Sequence, residues 1–271
     1  MHKTRHLLCL LATLLSPTAL LAVNTNSTPI AGVPITLVKP GNYKLTKSLV
    51  NGSTSPAIVI AGRDIVLDLN GFNLAGSDAS GEGNIGILIQ GNNAIIRNGT
   101  IRKFDTAIAD DGGTAGGVVI EDVICFAQAS TAIRLSSSEN LLRRVSIRNI
   151  GQQSSTPDEI LGLDLRGDTV IENCLIQDIP ARTGVVPIAG MRLTNGSYVV
   201  RECDVRKVIG IGILVGANLS TIIERVRIRD CGTGLSTAGV DSVVLRDCTI
   251  RNNNGSTTGG FVDGKGNSIS N

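Results

Sequence analysis

LLRRVSIR at residues 141–148 is followed by VIENCLIQ at 170–177, VVRECDVR at 199–206, IIERVRIR at 222–229 and VLRDCTIR at 244–251. IIRNGTIR at 95–102 precedes them, and VIEDVICF at 119–126 is a looser copy. Each copy holds two apolar residues, two polar ones, then an apolar-x-apolar triplet usually closed by Arg. Taking the second apolar residue of that triplet as an anchor gives Leu74, Ile101, Cys125, Ile147, Ile176, Val205, Ile228 and Ile250, spaced by 22 to 29 residues. Within a unit the apolar period is two, as in LGLDL (161–165) and IGILV (211–215), and Gly or Asn punctuates the ends. A period of two bounded by turn residues means strands, not helices. Three short strands in about 22 residues fit one rung of a solenoid, each strand pairing in parallel with its counterpart in the next rung. The units are too long and irregular for a hexapeptide solenoid, and a propeller needs blades of ~40 residues. The repeat therefore predicts an all-β chain: a single-stranded right-handed parallel β-helix of about eight rungs.

Composition agrees. The 271 residues include 32 Gly, no Trp, 2 Tyr and 4 Phe, yet 42% are hydrophobic, so the core is aliphatic. Both histidines, His2 and His6, lie in a segment read as a secretory signal over 1–22: Lys3 and Arg5, then an apolar run from Leu7 to Leu21 broken by Ser16-Pro17. Its removal leaves no histidine, which excludes His-based triads, His general bases and His metal ligands. It also removes two basic residues and no acidic one, leaving 23 of each sign. A chain without net charge carries no general attraction for nucleic acid or anionic membranes, and no later segment is long enough to span a bilayer.

ITLVKPGNYKLTKSLV (35–50) and AIVIAGRDIVLDLNGFNLAG (57–76), together with the repeats, resemble the secreted bacterial parallel β-helix proteins of the pectate-lyase-like superfamily. The resemblance spans nearly all of 33–269. It implies the β-helix fold and an N-terminal cap, placed at 23–56, with the β-helix over 57–271. It does not imply one activity, because the superfamily includes lyases, hydrolases, epimerases and adhesins.

Stacked rungs make each repeat position a column with neighbours ~4.8 Å apart. Four residues before the anchor the column reads Arg97, Glu121, Arg143, Glu172, Arg201, Glu224, Arg246, alternating in sign. Such a ladder sets register, since a one-rung slip places like charges together. Just after the anchor, Arg102, Arg148, Arg206, Arg229 and Arg251 form a basic face that can hold an acidic polysaccharide or pair with Asp178, Asp204 and Asp230. Cys125, Cys174, Cys203, Cys231 and Cys248 read as small core hydrophobes, with Cys174 and Cys203 close enough in principle to bond.

The first strand of each rung offers the outward column Leu88, Ala109, Arg134, Asp164, Arg192, Leu214, Ser236, with Asp111 and Arg166 two residues further on. The two longest spacings add loops at 151–159 and 180–187 beside it, bringing Asp158, Glu159 and Arg182. These eight residues, Asp111, Arg134, Asp158, Glu159, Asp164, Arg166, Arg182 and Arg192, are the candidate ligand contacts, and Asp164 is the one weak catalytic candidate. The hydrolases of the superfamily carry clustered Asp motifs and a Gly-His-Gly. Here Asp110-Asp111-Gly112 is a lone partial echo, and the histidine motif is missing. Asp164 between two arginines is a poor start for Ca²⁺, which takes several oxygen ligands, so no metal or cofactor is expected. The leading expectation is an exported scaffold or adhesin-like protein at the surface or in the periplasm that binds polysaccharide without turnover. The alternative is a polysaccharide lyase or glycoside hydrolase acting on an acidic glycan. The segment 259–271 begins another rung, so end-to-end self-association is a further expectation.

Overall fold

The computed structural model describes residues 26–77, 83–112, 115–151, 158–181, 184–185, 187–217, 220–237 and 242–270. Residues 1–22, read from the sequence as a signal, and Arg182 lie outside them. The described residues form a right-handed parallel β-helix without helices. The first strands of all rungs make a ten-stranded parallel sheet running from Ile35–Leu37 to Gly255–Thr258. The second and third strands build two further faces, joined where Ile95–Arg102 and Val119–Phe126 run through both. We refer to these as the first, second and third sheets.

There are thus ten rungs among the described residues, not about eight. The difference arises at the ends. Part of the segment expected as a cap, 23–56, is itself a rung: Ile35–Leu37, Gly41–Leu45 and Leu49–Asn51 pair in register with Ile58–Ile60, Ile65–Asp68 and Asn73–Gly76. Thr28–Ile30, on the edge beside Gly41–Leu45, precedes it. At the other end Val262–Asp263 and Ser268–Ile269 complete a tenth rung.

The anchors run through the middle of the third sheet from Leu49 to Ile269, and Ile101, Cys125, Ile147, Ile176 and Val205 are fully buried. Seven consecutive rungs bend sharply on either side of the anchor through one residue in the left-handed region. Three positions before the anchor these are Asn98, Asp122, Arg144, Asn173, Glu202, Arg225 and Asp247, with φ of 51–60°. Two positions after it they are Lys103, Ala127, Asn149, Asp178, Lys207, Asp230 and Asn252, with φ of 53–60°. A single such residue redirects the chain without adding length, which keeps consecutive rungs superimposable. Gly162, inside the strand that carries Asp164, has no room for a side chain: a Cβ would sit 2.4 Å from the Gly190 carbonyl oxygen of the next rung.

The register places every column read from the repeat. Arg97, Glu121, Arg143, Glu172, Arg201, Glu224 and Arg246 are successive partners on the second sheet. The column extends two rungs further, since Arg97 follows Asp68, and Asp68 follows Lys44. Beside it, on the same outer surface, runs a column of aliphatic residues: Val66, Ile95, Val119, Leu141, Val170, Val199, Ile222, Val244 and Val262. All nine are at least partly exposed. The five cysteines are buried free thiols, and burial pushes the Cys125 thiol up to about 12. The thiols of Cys174 and Cys203 point at carbonyl oxygens of their own chain, Glu172 at 3.3 Å and Arg201 at 3.2 Å. The hydrogen bond that Cys203 donates to Cys174 and burial both raise the pKa of Cys203.

Candidate functional site

The outward column of the first sheet is as the repeat places it: Ala109, Arg134, Asp164, Arg192 and Leu214 are partners on successive rungs. The strand Ile160–Leu165 carries Asp164 as its penultimate residue and has Glu159 just before it. Asp164 has 0% exposed side chain, beneath three guanidinium groups. Arg192 donates from Nε to Oδ1 at 2.8 Å, and Arg166 donates from Nη2 to Oδ2 at 3.1 Å. Arg134 Nε lies 3.3 Å from Oδ2 but points away from hydrogen-bond geometry, leaving that buried donor unmet among the described residues.

Glu159 sits over the same arginines. Arg192 grips it twice, Nη1 to Oε2 at 2.6 Å and Nη2 to Oε1 at 3.1 Å, and Arg134 Nη2 reaches Oε1 at 3.1 Å. Arg192 thus spends all three of its nitrogens on the two carboxylates, in the planar fork geometry that Lys cannot reproduce. Two carboxylates against three guanidinium groups leave a formal charge of +1. Burial raises the pKa of Asp164, but the hydrogen bond from Arg192 and the charges of Arg192 and Arg166 more than offset it, so its carboxyl stays below the usual carboxylate range. The same bond to Asp164 raises Arg192, against the lowering effect of burial.

Chemically this centre is a poor acid and a poor base. A general acid has to hold a proton near neutral pH, and a base needs a free lone pair facing the reacting atom. Asp164 is ionised, buried and bonded on both oxygens. The side chains facing outward are the arginines: Arg166 is 45% exposed and Arg134 35%, against 14% for Arg192.

The other candidates separate. Asp158 is exposed and next to the cluster in sequence, with no ion pair to any described residue. Asp111 is exposed just past the first strand of its rung, its amide donating to the Ile89 carbonyl oxygen at 3.0 Å. Its neighbour Asp110 is buried and accepts from the amides of Ser136 and Ser137, both at 2.8 Å, so this half of the Asp-Asp-Gly echo closes a turn of the following rung. Most of the two loops beside the site, 152–157, 182–183 and 186, lies outside the described residues.

On the third sheet the arginine column is in register, but its members differ. Arg206 donates to Gln177 Oε1 at 2.6 and 2.9 Å, and Arg229 lies 3.0 Å from Asp230 and 4.0 Å from Asp204. Asp178 accepts from Gln177 and faces Lys207 instead of an arginine. Arg102 and Arg251 are exposed, and Phe126, 36% exposed between Arg102 and Arg148, is an aromatic ring on the same face. In the repeat that phenylalanine is only an exception in the column; its place as a ring between two cations emerges from the stacking.

No family model matches the sequence, and no curated protein matches it. Solved structures do. The Dettilon tailspike protein is similar over 89% of this chain and 59% of its own, with a TM-score of 0.56 at 13% identity. The A-module of the mannuronan C-5 epimerase AlgE6 of Azotobacter vinelandii is similar over 90% of this chain and 88% of its own, with a TM-score of 0.54 at 11% identity. Pectate lyase Pel9A is similar over 88% and 72%, with a TM-score of 0.49 at 14% identity. The chain spans little more than half of the Dettilon tailspike and 34% of full-length tailspike protein 2 of Escherichia coli O157:H7 bacteriophage CAB120. At these identities the likeness is one of fold: a parallel β-helix. No helix among the described residues is long and apolar enough to cross a membrane.

Proposed function

We propose that the protein is an exported β-helix scaffold, at the cell surface or in the periplasm, that holds an acidic polysaccharide against its first sheet without turning it over. One observation carries the reading. Asp164 and Glu159 tie down Arg192 from both sides and leave the rim guanidinium groups of Arg134 and Arg166 facing outward, over a centre with one more positive charge than negative. A guanidinium pre-set by a buried carboxylate has fewer rotamers to lose when it meets a uronate carboxylate or a sulfate, and its remaining N–H groups match that oxygen pair. The carboxylates that a lyase or hydrolase would use are spent inside the cluster. That one of the similar structures is named as a mannuronan C-5 epimerase makes a uronate polymer the first ligand to try.

The test is retention of the protein on immobilised uronate, sulfated and neutral polysaccharides with and without Ca²⁺. In parallel, ultraviolet absorbance follows unsaturated uronates and a reducing-end assay follows hydrolysis. Retention on acidic glycans that falls about tenfold for Arg134→Ala/Arg166→Ala, the loss of ~1.4 kcal/mol, is the expected result. Turnover of any glycan would replace this reading with the lyase or hydrolase one, and equal retention of the double variant would remove the site from the first sheet.

A further inference from the structure

We propose that the outer surface of the second sheet is a contact between two copies of this chain, lying side by side and antiparallel across a twofold axis. The surface is unusual in being aliphatic on nine successive rungs, from Val66 to Val262. Alternation in a strand should put one face of each strand in water, and here that face carries Val, Ile or Leu every time. The stripe is also grooved. A trough of about 460 Å³ lies over Val66 and Ile95, and a second of about 520 Å³ over Leu141, Val170, Val199 and Ile222. A polysaccharide would leave its hydroxyls unpaired against such a floor.

Two features select a second copy as the occupant. The first is spacing. Aliphatic side chains recur at the ~4.8 Å strand separation, and a second stack of rungs has the same period, so its side chains meet those of the first rung for rung along the whole length. The second is charge. The column beside the stripe alternates from Lys44 through Asp68, Arg97 and Glu121 to Arg246. Rotation about an axis lying in the interface and crossing the stripe brings the two ladders face to face in opposite directions. With that axis between two rungs, every cation faces an anion; with the axis on a rung, every charge faces its own kind. The ladder therefore permits alternate registers and rejects those between them. Pairs inside one copy, such as Arg201 with Glu172 at 3.1 Å, do not exhaust a guanidinium with five N–H donors or a carboxylate with four lone-pair sites. Nine rungs at ~4.8 Å give a face about 40 Å long, which at a width of about 15–20 Å buries roughly 1,200–1,600 Å² over both copies, the size of a stable interface.

Sedimentation velocity of the purified protein, from low micromolar upward, tests this. A monomer–dimer equilibrium is expected, weakened at least tenfold in Val170→Thr/Val199→Thr/Ile222→Thr. Threonine keeps the β-branch and these side chains are partly exposed, so the rungs should form, and far-ultraviolet circular dichroism checks that they do. Small-angle scattering of the unaltered protein is the second arm and needs no variant. A side-by-side dimer keeps close to the monomer's maximum dimension, whereas an end-to-end dimer doubles it. A monomer at every concentration, a dimer of doubled length, or a folded triple variant that dimerises unchanged would each overturn the proposal.

Discussion

Two columns of this β-helix are built from the same alphabet, arginine alternating with a carboxylate from rung to rung, and they do different physical work. On the second sheet the partners meet largely in water. Arg97 with Asp68 and Arg201 with Glu172 are both separated by 3.1 Å, and these arginines are 46% and 40% exposed. On the first sheet one carboxylate is withdrawn from water entirely and shared among three arginines. An exposed pair contributes ~0.2–1 kcal/mol, whereas a buried charge stripped of its partners costs ~3–5 kcal/mol. Alternation alone thus says nothing of magnitude. What differs is whether a third and fourth charged group fold over the pair, and Glu159 and Arg166 supply that difference.

The largest effect should come from opening the buried column. Asp164→Asn keeps the shape and leaves Arg134, Arg166 and Arg192 facing one another with Glu159 as their remaining anion. We expect a loss of ~3 kcal/mol in unfolding free energy by denaturant titration. Glu172→Gln in the ladder should cost under ~1 kcal/mol. Equal losses at the two positions would erase the distinction between the columns. Next in size is Arg192→Lys, which keeps the charge but cannot grip Asp164 and Glu159 at once; a loss of ~1–2 kcal/mol is expected. A lysine that restores full stability would mean that charge, not the bidentate geometry, holds the cluster.

Acid provides a further separation. The folded-state pKa of Asp164 lies below its ordinary value of 3.8, so its stabilising contribution is complete above that value and is lost as pH falls through the folded pKa. The stability gap between the parent protein and Asp164→Asn should be constant from neutral pH down to about pH 5 and narrow below that. A gap that closes already near pH 6 would mean that the carboxyl is not held down as the geometry requires.

Much of this is legible in the repeat, and for a simple reason. A column needs only the correct spacing between copies, and an error of one residue would turn apolar anchors outward, so Ile147, Ile176 and Val205 pin the register of Arg134, Asp164 and Arg192 as well. Two things escape. The first rung reads as a cap because the resemblance implies one at the N-terminus, and GNYKL and LVN lack the arginine-closed triplet that would have argued otherwise, so the repeat alone does not bring Lys44 and Asp68 into the ladder. The apolar pair in each copy, such as Leu141-Leu142 or Val170-Ile171, reads as core, yet alternation lets one member of each pair face inward: Leu142 and Ile171 are buried, while Leu141 and Val170 line the outer stripe. The burial of Asp164 is not legible at all. It depends on Glu159 reaching across two rungs from a loop margin, and periodicity carries no information about a side chain outside the period.

Salt gives the smallest effect and the cleanest control. Exposed charges are screened over ~3 Å at molar ionic strength, whereas a buried pair feels little of the added ions. Exchanging the pair, Arg143→Glu with Glu172→Arg, leaves the composition unchanged. It puts a second carboxylate beside Glu121 on one side and a second guanidinium beside Arg201 on the other. At low salt the exchange should cost about 1 kcal/mol through two like-charge contacts, and molar sodium chloride should remove most of that cost. The loss from Asp164→Asn should persist under the same conditions, because the groups it strands are covered by one another. Were the exchange to cost as much in molar salt as without it, the ladder residues would be held by packing of their aliphatic stems over the outer stripe, and charge alternation would no longer account for the register.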